Sequence, residues 1–240
     1  MLIDLEVLLK KFDLKVSNIA HIGANLGQEV NVYNKIFPNS HIYLIEPQPQ
    51  LCNSMQKEFK DMNNVTVLNT ALGNKSGLVQ LNLSPSNLSS SSILNPTFHK
   101  EIHPEIKFEG QISVPIEKYK KMKFKNVNFL NIDTQGYELE VLKGVGEYFN
   151  SIDYLLLEIN TRELYAKSPL LEDIDKYLFN LGYQRVVTVY WDKNCYWGDA
   201  FYIKKNLLKN QLILKNNIKN YIFKSTFLYN FFKKIRSTFN

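Results

Sequence analysis

The chain has 240 residues, 45% hydrophobic and 13% aromatic, enough for one sizeable packed domain and unlike a disordered chain. Its formal charge of +6 is uneven: residues 204–240 hold nine of the 29 basic residues and no acidic one, which leaves 20 basic against 23 acidic in the rest. Two cysteines without metal-ligand spacing, no leader pattern and no apolar run of about 18 residues point to a reduced, cytoplasmic setting and away from a spanning protein.

In chain order, residues 2–12 have the spacing of a short amphipathic helix. Residues 16–22 form a β-rich apolar run, 28–37 a helix stopped by Pro38, and 41–46 a second strand. Pro47 suits the first turn of a helix reaching about residue 61. A third strand covers 65–69, and the alternation over 77–83 predicts an added edge strand. Residues 84–110 are polar and turn-rich, with Ser90, Ser91, His99 and His103 among them. A loop of this length is either functional or a solvated insertion. Order resumes with a strand over 127–132, a helix over 138–149 and an apolar strand over 154–159. A helix over 170–181 and strands over 183–190 and 199–204 complete the series. Alternating strands and helices predict a doubly wound, mainly parallel α/β sheet, with the last two strands too closely linked to be anything but an antiparallel hairpin.

Residues 1–204 therefore read as one domain and 205–240 as a basic, amphipathic helical tail. Eight of ten tail positions at 3-4 spacing, from Leu207 to Phe239, are apolar. Such a helix suits an anionic membrane surface, here the inner face, or packs on the domain or on a second copy in a homo-oligomer. Only three of the 29 basic residues are Arg, which lowers the expectation of specific nucleic-acid binding.

Two segments carry the chemistry. Gly23-Ala24-Asn25-Leu26-Gly27 joins a strand to a helix, where glycine allows close approach and the helix start favours anions. Glu46, 19 residues after Gly27 and at the end of the next strand, is placed to accept two ribose hydroxyls. Asp133 ends the fourth strand, and Gly136 turns the chain toward Glu138, an early-turn dipole partner of the following helix. Glu158 and Asn160 end the next strand. With Asp133 they form an oxygen set for a divalent cation such as magnesium, or orient backbone and substrate without one. His21 adjoins the glycine loop. His99 and His103, at i, i+4, would act as bases, pair on a metal if their segment is helical, or sit in solvent.

The blocks Ile-Gly-Ala-Asn-Leu-Gly, Leu-Ile-Glu-Pro-Gln-Pro, Asn-Thr-Ala-Leu-Gly-Asn, Leu-Asn-Ile-Asp-Thr-Gln-Gly-Tyr-Glu and Leu-Leu-Glu-Ile-Asn, in order over roughly residues 16–204, resemble the FkbM-type S-adenosylmethionine-dependent methyltransferases. The resemblance implies a class I methyltransferase fold, with seven strands and the last antiparallel. It also implies O-methylation, usually of a sugar hydroxyl in a surface glycan, glycolipid or natural product. By resemblance, His21, Gly23, Ala24, Asn25 and Gly27 would hold the methionine end of S-adenosylmethionine, and Glu46 its ribose. Thr70, Ala71 and Leu72 would border the adenine. Asp133 would sit beside the transferred methyl as base, with Glu158 sharing that work around a divalent ion. The family often has Asp where this chain has His21, and Glu29 is the nearby carboxylate that could substitute. The segment 84–110 would cover the acceptor. The competing readings are a non-catalytic nucleotide-binding or scaffold protein on the same fold and, from the basic tail, an RNA methyltransferase.

Overall fold

The computed structural model describes residues 1–191 and 193–208. The expected tail helix lies, from residue 209 on, outside the described residues. In chain order the elements are α1 (Leu5–Phe12), β1 (Asn18–Ile22), α2 (Val30–Ile36), β2 (His41–Ile45), α3 (Pro49–Glu58), β3 (Val65–Leu68), β4 (Ala71–Leu72), β5 (Gly77–Asn82), α4 (His99–Ile102), β6 (Gln111–Glu117), β7 (Val127–Ile132), α5 (Glu138–Val145), β8 (Tyr154–Asn160), α6 (Leu171–Asn180), β9 (Tyr183–Tyr190) and β10 (Trp197–Lys204).

Seven strands form the main sheet in the order β3-β2-β1-β7-β8-β10-β9. The pairs β2–β3, β1–β2, β1–β7 and β7–β8 are parallel, whereas β10 runs antiparallel to both β8 and β9. The strand order reverses between β1 and β7, which opens a crevice at their carboxyl ends. All six residues of β7 are buried, as expected of a central strand covered on both faces. One face packs α1, α2 and α3 through Leu8, Tyr33, Met55 and Phe129. The other packs α5 and α6 through Leu142 and Leu178. Each such fully buried side chain contributes about 1.5–3 kcal/mol relative to exposure.

Local chemistry sets the element ends. Asp4 caps α1, its carboxylate accepting the N–H groups of Glu6 and Val7. The helix after β2 starts at Pro49, not Pro47. Gln48 precedes that proline and is held extended, and its N–H is taken by the Glu46 carboxylate at 3.0 Å. Residues 77–82 are a strand, but not at an edge of the main sheet. They form the edge of a second sheet, ordered β4-β6-β5, that packs against the α5 side. Among the described residues no helix is long and apolar enough to cross a membrane.

Candidate active site

The glycine loop and the turn after β7 meet at the crevice. Asp133 N donates to Ile22 O at 2.9 Å, while Gly23 N and Ala24 N both donate to Ile45 O. Gly23 has φ +81°, and a Cβ built on it would lie 1.8 Å from the Asp133 carbonyl oxygen. Only glycine lets the two loops close this tightly. Asn25 also has positive φ, at 52°, and its N–H donates to Glu46 Oε2 at 3.0 Å. Glu46 thus ties together the loops after β1 and β2. Burial raises its pKa to about 7, because few groups remain to solvate the charge.

On the α1–α3 face, strand register places Asp133, Glu158 and Asp199 side by side across β7, β8 and β10. Gln135 sits over the first two. Its Nε2 donates to Asp133 Oδ1 and to Glu158 Oε2, both at 2.8 Å. Burial lifts Asp133 to about 6 and Glu158 well above the usual carboxylate range, and in each the neighbouring carboxylates add to the shift. The pair therefore holds a proton near neutral pH. Asp199 is buried and accepts the Leu2 N–H. Clusters of carboxylates with pKa values raised in this way mark functional edges.

Glu138 has a different task. One oxygen accepts the N–H groups of Thr134 and Gly136 and the Thr134 hydroxyl, at 2.9–3.1 Å. It shapes the turn from within. Burial again raises it to about 7. His21 is buried and held neutral by desolvation. Its Nδ1 lies 3.9 Å from Glu29 Oε2, so Glu29 does stand beside the position where the resemblance implies an acid.

The segment 84–110 is not a free loop. It contains a 3-10 turn at Leu88–Ser90 and the one-turn helix α4. Ser92 Oγ donates to Gln135 O at 2.7 Å, and residues 96 and 165 form an isolated bridge. Tyr165 OH lies 2.8 Å from Gln135 Oε1 and 3.0 Å from Ser90 O. Ser90 is thereby buried, contributing its carbonyl, and Ser91 Oγ accepts Ser84 N. His99 is buried among the rings of His103, Phe108 and Tyr165, and burial lowers its pKa to about 4. At neutral pH it is therefore uncharged. His103 is half-buried and pairs with Glu105 at 3.2 Å.

The residues expected beside the adenine also have structural partners. Ala71 and Leu72 form β4, with their side chains in the core. The Thr70 hydroxyl bonds to the carbonyls of Ala71 and Pro115. Among the described residues, no group of three or more His, Cys, Asp or Glu side chains is placed to hold a metal. The Gln135 amide, not an open gap, lies between Asp133 and Glu158, and Asn160 is nearly fully buried with an unpartnered Oδ1. Sequence reading missed Gln135, Tyr165 and Ser92. The signal for Gln135 was its place between Asp133 and Gly136, in a turn that needs its φ of 54°.

Among the described residues, seven buried side-chain atoms have no hydrogen-bond partner, including His21 Nδ1, Asn25 Oδ1, Gln48 Oε1 and Asn160 Oδ1. These four belong to the loops or strand ends at the carboxyl edge of the main sheet. Buried groups of this kind normally find partners, so an edge that leaves them open suits a polar ligand. Its surplus of carboxylates favours a cationic one.

Comparisons with known proteins identify the family and the fold. Residues 21–185 match the family described as the methyltransferase FkbM domain. A 170-residue stretch is 22% identical to the 2-O-methyltransferase NoeI of Sinorhizobium fredii, covering 65% of this chain and 69% of that protein. The crystal structure of methyltransferase FkbM from Methylobacillus flagellatus superposes with a TM-score of 0.53 at 16% identity, over 78% of this chain. This chain spans 43% of that protein's length. TrmK of M. capricolum, in complex with S-adenosylhomocysteine, gives a TM-score of 0.50 at 11% identity, over 99% of this chain and 85% of its own. These structural likenesses bear on the fold, which is that of the class I methyltransferases.

Proposed function

The chain belongs to the FkbM methyltransferase family, and from that premise we propose that it moves a methyl group from S-adenosylmethionine to a hydroxyl oxygen of a saccharide. The observation that carries the proposal is the closed contact of Gly23 with Asp133 beside an acidic edge rich in unpartnered polar atoms. The residues fit the cofactor. Polar atoms at the carboxyl edge lack partners, and a cation there would relieve the buried carboxylates. Gly23, Ala24, Asn25 and Gly27 would hold its amino-acid end with His21 and Glu29 near, Glu46 its ribose, and the turn at 69–72 would border its base. When bound, S-adenosylmethionine supplies an activated methyl on a sulfonium.

The chain's own residues have three tasks. The loops after β1 and β7 must fix the acceptor against the methyl, which lowers the barrier through orientation. Asp133 must take the hydroxyl proton. With a pKa of about 6 it is mostly ionised at pH 7, yet more basic than an exposed aspartate. Gln135 and Glu158 hold that carboxylate in place through the shared amide. The segment 84–110, latched by Ser92 and Tyr165, excludes water from the edge. The NoeI relative, a 2-O-methyltransferase, supports an oxygen acceptor. The test is transfer of labelled methyl from S-adenosylmethionine to a panel of oligosaccharides, followed by hydrolysis and mass spectrometry. O-methyl sugars are expected; label appearing only on nitrogen, or on RNA, refutes the assignment.

A further inference from the structure

Three segments converge on one guanidinium beyond the carboxyl end of β8. Arg162 follows β8 by two residues, and its Cζ stands 3.4 Å from the centre of the Phe98 ring and 6.0 Å from that of Tyr196. Phe98 comes from the segment 84–110, just before α4, and Tyr196 immediately precedes β10. The two rings meet edge to face at 5.2 Å. The backbone fixes the clamp, because Thr161 N donates to Tyr196 O at 2.8 Å. Trp197, whose ring packs 5.1 Å from that of His103, extends the aromatic rim.

This arginine is unusual in its chain. Lysines supply 26 of the 29 basic residues. Exposed lysines such as Lys10, Lys15 and Lys35 rest against carboxylates. Arg185 is spent on Asp175. Arg162 is exposed, and among the described residues its guanidinium has ring contacts but no hydrogen bond or ion pair. Stacking on a ring face uses the face of the guanidinium and leaves its in-plane N–H donors free. A planar fork of this kind matches a carboxylate or phosphoryl group, which an ammonium does not. The neighbouring aromatic faces suit the C–H faces of a sugar ring. The location matters as much: Arg162 lies four residues beyond Glu158 and touches the segment that covers the edge.

We propose that Arg162, held on Phe98 beside Tyr196, is the anion subsite of the acceptor site and takes the carboxylate or phosphoryl group of an acidic saccharide. This deepens the methyltransferase reading and rests on it for the word acceptor, while the binding itself can be measured separately.

The experiment is calorimetric titration of the full chain with glucose, glucuronate and glucose 6-phosphate, for the unaltered protein and for Arg162→Lys, Arg162→Ala and Phe98→Leu. At least one of the two anions is expected to bind roughly tenfold or more tightly than glucose, as a charge-assisted bidentate contact implies. Which anion wins separates a carboxylate from a phosphoryl ligand. Arg162→Ala should abolish the preference, Arg162→Lys should keep part of it, and Phe98→Leu should weaken it by freeing the guanidinium. Because Arg162 is exposed, the folding of its variants is not at issue, and thermal melts verify this. Equal affinity for glucose and both anions, no anion binding by about 10 mM, or an unchanged preference in Arg162→Ala overturns the subsite. A chain that binds S-adenosylhomocysteine but shows no anion preference loses the subsite and keeps the methyltransferase reading. One that prefers anions through Arg162 but binds neither S-adenosylmethionine nor its product loses the reading and keeps the subsite.

Discussion

Replacing Gln135 with leucine removes the amide that two carboxylates share. In the folded protein its Nε2 reaches Asp133 and Glu158 at 2.8 Å each, and its Oε1 lies 2.8 Å from Tyr165 OH. A hydrogen bond to a charged group contributes about 1.5–3 kcal/mol. At 1.36 kcal/mol per pKa unit, losing it lifts Asp133 by roughly one to two units, from about 6 toward 7–8. The assay is the pH profile of methyl transfer, whose acidic limb should move up by that amount. The same variant should lose about 1.5–3 kcal/mol of stability at pH 8. It should lose less of it at pH 5, where both carboxylates are protonated. A carboxylate raised on folding contributes stability that is present at low pH and lost as pH rises through its folded value. Gln135→Asn is the control, because asparagine keeps an amide and tolerates the positive φ. An acidic limb that does not move in Gln135→Leu refutes the reasoning, whatever happens to the overall rate.

Three further outcomes are expected. Gly23→Ala should cost about 2–5 kcal/mol from strain and overpacking, since its Cβ would meet the Asp133 carbonyl at 1.8 Å. Gly182→Ala, with a similar φ of +84° but open space around it, should cost only about 1–2 kcal/mol; equal losses in urea melts would show that the loop contact is not the constraint. Glu46→Gln should weaken S-adenosylhomocysteine binding roughly 10- to 100-fold and lower Tm as well, because the glutamine oxygen accepts from only one of the Asn25 and Gln48 N–H groups; unchanged affinity would remove Glu46 from the ribose role. Finally, stability of the unliganded chain should fall from pH 5 to pH 8 as Asp133, at about 6, and Glu46 and Glu138, at about 7, ionise against burial. Saturating S-adenosylmethionine should offset that fall, so the ligand-induced rise in Tm grows with pH; a rise that is flat or shrinks would contradict a cation in the acidic edge.

Much of the sheet is legible in the residues because the physics is local. Strand β8 carries its boundaries in an apolar run, residues 154–157, flanked by Asp153 and Glu158, and the short link before β10 forces a hairpin. The second sheet is not legible in the same way. β4 has two residues, too few for any period, and β6, although Ile112, Val114 and Ile116 alternate, carries Pro115, which argues against a strand. The start of α3 was misplaced by two residues because Pro47 and Pro49 both satisfy the first-turn rule. What decides between them is the Glu46 carboxylate holding Gln48 extended. At the site, Glu46 and Asp133 are visible at strand ends. The role of Gln135 is not, because it depends on Ser92, Tyr165 and Glu158 arriving from 23 to 43 residues away. The expectation of a solvated loop fails at His99 for a related reason: its burial is set by packing against Tyr165 and Phe108, which no local pattern announces.

A cationic nucleoside is proposed to bind where the glycine loop meets Asp133. Calorimetric titration of the full chain with S-adenosylmethionine and S-adenosylhomocysteine tests this most directly. One-to-one binding of both, with Kd below about 1 mM and weakened by Glu46→Gln, is the expected result. Absence of heat from either ligand at that concentration contradicts the account.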